Sequence, residues 1–133
     1  MDYASFHKEV AKKALLTNPE ETDTAIKAAL RTLSELLASN ETAHLGPMLP
    51  SEISKYLIVP SKGQVFSVDE FFQHVAHIER VPLNHAMHHA RTVIEVLCKM
   101  LSEEEINLIR SQLSPDFAVL FETSGSAAYE RKN

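Results

Sequence analysis

The chain has 133 residues, 44% of them apolar and 23% charged, a composition that fits one globular domain and excludes a disordered chain. Three glycines and six prolines are too few for a turn-rich β-sandwich, and a single cysteine, Cys98, excludes an internal disulfide framework and fits a reducing compartment. A formal charge of −5 argues against phosphate-backbone binding, so no nucleic-acid partner is expected.

The predicted elements are all helical. A first helix over 3–14 carries Phe6, Val10 and Ala11. Asn18-Pro19-Glu20-Glu21 then supplies an N-cap, a first-turn proline and two acids near the positive helix end, which opens a long helix over 19–38. Its Ile26, Leu30, Leu33 and Leu37 recur at three-four spacing and form one buried stripe. Short helices are predicted over 41–47 and 51–57. The segment Val59-Pro60-Ser61-Lys62-Gly63-Gln64 breaks helix and reads as a linker. Beyond it, Ser67 with Glu70 and Ser102 with Glu105 fit the capping box, and Ser114-Pro115-Asp116 starts a last turn. The resulting helices span 68–79, 83–101, 103–111 and 115–121, and Thr123 to Asn133 reads as a flexible tail.

The two halves resemble each other. At an offset of 65, Phe6 meets Phe71, Val10 meets Val75 and Ala11 meets Ala76. Dropping one residue near Thr17 gives an offset of 64, at which Leu33 meets Leu97, Leu37 meets Leu101, Glu41 meets Glu105 and Leu49 meets Leu113. Conservative pairs such as Ala29 with Val93 and Ile53 with Phe117 fill the gaps. A duplicated unit accounts for this pattern better than chance. The expected architecture is therefore all-α, two tandem helical repeats of about four helices each, packed around one shared core. Repeat 1 covers 2–58, the linker 59–65, repeat 2 66–122 and the tail 123–133, all within a single domain.

Phe6, Val10-Ala11, the long-helix leucines, Leu49-Pro50-Ser51-Glu52, Phe66-Ser67-Val68-Asp69-Glu70-Phe71, Val75-Ala76 and Gln112-Leu113-Ser114-Pro115-Asp116 together give the chain a further resemblance. Over residues 2 to 122 it resembles the domain of unknown function 2267 (DUF2267) family. The resemblance implies an all-helical protein of two tandem repeats, of the kind found mostly inside bacteria, and it implies no catalytic residues. The matching positions are apolar or caps, so they speak of fold and hardly of chemistry.

Histidine is the unusual residue. His74, His77, His85, His88 and His89 fall in one sixteen-residue window. His85 and His89 stand four apart on a helix, a spacing that can chelate zinc or another divalent metal, and His74 with His77 would complete a four-nitrogen site if the two helix faces meet. Against this, Ala86 stands where a His-Glu-x-x-His hydrolase needs glutamate, and His89 matches Ala25 of the first unit. Glu41 and His44 give the Glu-x-x-His step of di-iron bundles, but Leu108 replaces the histidine in the second unit. Cys98 matches Ser34 and sits on the apolar side, as a small core residue does. Lys8, Lys12 and Lys13 make a small basic patch of the kind usual on solvated surface. Phe72 matches the polar His7 and is the candidate aromatic that would anchor a partner if exposed, against the commoner case of a core-edge residue covered by the linker.

No nucleophile, base and oxyanion donor converge in this pattern. The expected function is a non-catalytic helical module for protein–protein interaction or scaffolding, not an enzyme, which docks a protein partner or its own copy and needs no cofactor. The alternative is a histidine-rich divalent-metal-binding protein using His85, His89, His74 and His77. No run approaches the roughly 18 apolar residues of a membrane helix. Met1-Asp2-Tyr3-Ala4 carries no hydrophobic signal stretch, so a cytoplasmic location away from membranes is expected.

Overall fold

A computed structural model describes residues 1–38, 45, 49–57 and 63–122. The expected helix over 41–47, the Glu41/His44 pair and the tail from 123 lie outside the described residues, Leu45 excepted. Helix α1 spans Tyr3–Ala14, α2 Pro19–Leu36, α3 Ser51–Leu57, α4 Val68–Glu79, α5 Leu83–Cys98 and α6 Glu103–Ser111, and a 3-10 helix over Pro115–Leu120 closes the described chain. No strand occurs among the described residues.

The caps anticipated at Asn18, Ser67 and Ser102 hold their helix starts, whereas Ser114 makes no side-chain bond to the amides of its helix. Asn18 Oδ1 accepts the Glu20 and Glu21 amides, and Asp2 does the same for Ser5 at the start of α1. Ser67/Glu70 and Ser102/Glu105 each form both halves of a capping box. Three boundaries differ from expectation, each for a local reason. Helix α2 stops at Leu36 because Leu37 turns extended and the Ala38 amide donates to Gln112 Oε1 at 2.9 Å. Helix α5 stops at Cys98, after which the amides of Lys99, Met100 and Leu101 reach back three residues instead of four and tighten the chain toward the Ser102 cap. The last turn is 3-10 rather than α, with the Phe117 amide bonded to Ser114.

Helices α2, α4 and α5 pack on one another. Helix α1 lies against α5 and α2, α3 against α2, and the 3-10 helix against α5. The first helix of each half thus covers the long helix of the other, α1 on α5 and α4 on α2. Phe6, Ile26, Leu30, Leu33, Phe71, Ile94, Leu97 and Phe117 are fully buried in one continuous core. The Phe71 and Phe117 rings meet edge-on at 5.8 Å. Removing such side chains from water supplies most of the stabilisation, at about 1.5–3 kcal/mol each. Between the halves, Gly63 takes φ 75, open to glycine at no steric cost, and the next amide, Gln64, donates to Glu35 O at 2.7 Å. Asp116 Oδ2 accepts the Val68 amide at 2.9 Å, which ties the 3-10 helix to the start of α4.

The aromatic pair corrects one expectation. Phe72 is 3% exposed and its ring packs edge-on to Phe71. It belongs to the core and presents nothing to a partner. Although it matches the half-buried His7, α4 packs closely against both α2 and α5, and its apolar face is correspondingly wide.

Candidate functional site

Helices α1 and α4 are each twelve residues long and each ends on a non-glycine residue in the left-handed region, Leu15 and Arg80, both at φ 61. The same bonds close both ends. The Leu16 amide donates to Ala11 O and the Val81 amide to Ala76 O, carbonyls that also accept the Leu15 and Arg80 amides. The two turns lie at one end of the bundle and line a single cleft of about 900 Å³, within the size range of small-molecule pockets.

One wall is apolar, from Ala14, Leu15, Leu16 and Val81. Leu15 is 84% exposed, because the left-handed turn throws its side chain outward. Glu20, Glu21 and Thr24 come from the first turns of α2, and Asn84, His85, His88 and His89 from those of α5. Beneath them lies a buried ionisable pair. His89 Nδ1 stands 2.8 Å from Glu79 Oε1, with side chains 10% and 4% exposed. With Glu79 as a carboxylate, the Nδ1–H donates and Oε1 accepts. Glu79 Oε2 has no hydrogen-bond partner among the described residues. The sole hydroxyl of the lining, Thr24 Oγ1, donates to Glu20 O at 2.9 Å and so lies within its own helix.

Among known families, the model described as "Uncharacterized conserved protein (DUF2267)" matches residues 3–120, from the first residue of α1 to the last of the 3-10 helix. The chain belongs to the DUF2267 family. No curated protein matches it.

The remaining predicted residues of this DUF2267 chain are dispersed. His85 and His89 do share a face, with ring centroids 6.4 Å apart, and His88 lies 6.2 Å from His89. His74 instead packs on the Phe66 ring at 4.9 Å and stands 4.0 Å from Glu35, and His77 is exposed on α4. Among the described residues no group of three or more His, Cys, Asp and Glu side chains is placed to hold a metal ion, so the four histidines are not gathered into one site. Cys98 is half-buried, and burial pushes its thiol up to about 11. The basic patch is diluted by acids: Lys13 pairs with Glu95 at 3.5 Å, and Lys99 with Glu9 on the same surface. No described helix is long and apolar enough to cross a membrane.

Glu79 was not singled out by sequence reasoning, although a signal was present. At the offset of 65 it matches Ala14, and at 64 His89 matches Ala25. Both alanines are buried, and Ala25 and His89 are each the seventh residue of their helices. Two alanines in one half face an acid and an imidazole in the other.

Proposed function

We propose that this DUF2267 protein is a non-catalytic helical module of the cytoplasm that docks a protein partner in the cleft between its two turns. The observation that carries the reading is Leu15, a large apolar side chain held outward by a left-handed backbone that costs roughly 1–2 kcal/mol for a non-glycine residue. Strain of this kind persists where the surrounding structure or a function maintains it. An exposed leucine beside Leu16 and Val81, rimmed by acids and imidazoles, has the apolar-centre and polar-rim make-up of a contact surface. A non-catalytic role is supported by the hydroxyl of Thr24, which is engaged in its own helix, and by the raised Cys98 thiol, which lies outside the cleft.

The test is affinity capture from the native source, followed by calorimetry on the purified pair with wild type and Leu15→Gly. Glycine keeps the φ of 61 and removes only the side chain. A stoichiometric partner whose affinity drops at least about fivefold with the glycine variant supports the reading. Recovery of no stoichiometric partner, or equal binding by both proteins, ends it. A dimer in light scattering that Leu15→Gly dissolves would assign the cleft to a second copy of the chain.

A divalent-metal reading draws on His85 and His89, one turn apart with rings at 6.4 Å. Zinc that raises the melting temperature at one equivalent in wild type, and not in His85→Ala, would put metal binding in place of docking.

A further inference from the structure

Glu79 occupies a costly position. It is the last residue of α4, where the helix carbonyls already gather negative charge, and its side chain is almost wholly out of water. A buried carboxylate demands donors at both oxygens. His89 serves Oε1, while Oε2 has no partner among the described residues. The fold does not require this arrangement at such a place. Ala14 and Ala25 fill the corresponding positions of α1 and α2 and are buried there without any polar group.

The surroundings select the chemistry of a missing donor. The cleft carries three carboxylates, Glu20, Glu21 and Glu79, against one permanent cation, Arg80, so its field favours a positive guest. The apolar wall of Leu15, Leu16 and Val81 suits a methylene stem behind a charged head. Resting on the docking reading, we propose that the cleft receives a cationic side chain of the partner, a lysine ammonium or an arginine guanidinium, with Glu79 Oε2 as its acceptor. His89 is the positioning residue that holds the carboxylate through Oε1. The exposed side chains of His85, His88 and Arg80 surround the entry, and exposed rotamers turn over fast enough to admit the guest.

The experiment is an NMR titration of the full chain with three probes: Nα-acetyl-lysine amide, Nα-acetyl-arginine amide and the uncharged Nα-acetyl-norleucine amide. The expected result is saturable millimolar binding of one or both cations, with shifts confined to amides of residues 14–24 and 79–89, and none for norleucine. Glu79→Gln, which keeps shape and an acceptor for His89, should weaken the cation by about tenfold or more. The double variant Glu79→Ala/His89→Ala copies the first half, and should fold with wild-type spectral dispersion and bind no cation. Norleucine binding as well as lysine, an unchanged affinity in Glu79→Gln, or a double variant that fails to fold would each overturn the proposal. Silent titrations with a purified partner that still discriminates Leu15→Gly would remove the cationic guest and leave docking intact. Cation binding without any stoichiometric partner would do the reverse.

Discussion

The turn after α1 and the turn after α4 close helices of equal length through a left-handed residue and a matching pair of bonds to one carbonyl, yet they differ in the side chains at matching positions and in how the next helix starts. At the first, the positions that match Glu79 and His89 in sequence hold the buried Ala14 and Ala25, and α2 then starts on an asparagine that caps two amides. Under the second are Glu79 and His89, and α5 starts on Pro82, which offers no side-chain bond. The backbone geometry of the turn therefore does not depend on the chemistry below it. Alanine suffices for packing. An ion pair in the equivalent place brings a desolvation cost that packing does not ask for, and that excess is what points to binding.

The largest effect should come from breaking the pair one member at a time. His89→Ala leaves Glu79 buried with no donor at either oxygen, and is expected to cost about 3–5 kcal/mol in urea unfolding, as broken buried pairs do. Glu79→Leu/His89→Leu replaces both polar groups by apolar side chains of comparable volume and should return to within about 1 kcal/mol of wild type, because such a replacement of a buried pair is often neutral. Equal losses in the single and double variants would mean that the second turn needs its pair, and the contrast with Ala14 and Ala25 would fail.

A smaller effect sharpens the contrast between the two helix starts. Asn18→Ala deletes a cap that serves the Glu20 and Glu21 amides and should cost about 1 kcal/mol. Pro82→Ala deletes no side-chain hydrogen bond and should fall within about 0.5 kcal/mol of wild type. If both substitutions cost the same, capping would not distinguish the turns.

Much of the fold was legible because its determinants are local. Asn18-Pro19, Ser67 with Glu70 and Ser102 with Glu105 place helix starts by bonds spanning three residues or fewer, and the stripe of Ile26, Leu30 and Leu33 comes from helix periodicity alone. The features that escaped depend on contacts far apart in sequence. Helix α2 ends early because Gln112 takes the Ala38 amide from 74 positions away. The match of Phe72 to His7 does not separate an exposed anchor from a core residue, because it carries no information on how tightly α4 is enclosed by α2 and α5. The candidate site was legible only at His85 and His89. Glu79 stood next to Arg80 in an unremarkable helix end, and its partner became visible only when the turn brought α5 back alongside α4.

Further along the long helices the halves differ again, at Ser34 and Cys98, and here the expected effect is smallest. The Ser34 hydroxyl donates to Arg31 O at 2.6 Å and is buried, whereas burial pushes the Cys98 thiol from 9.0 up to about 11. A rise of this size lowers the thiolate fraction at pH 8 by about a hundredfold, so iodoacetamide should modify the native chain about a hundred times more slowly than the urea-unfolded chain. The same shift sets a sign for stability. The folded thiol keeps its proton more tightly than the unfolded one, so this contribution is full below about pH 9 and is lost as pH rises toward 11. Cys98→Ser, which copies the first half, should flatten that part of the alkaline stability profile and leave the profile below pH 8 unchanged. A fast-reacting native thiol, or a serine variant with the same alkaline slope as wild type, would show that the thiol is solvated and that the long helices differ at this position in name only.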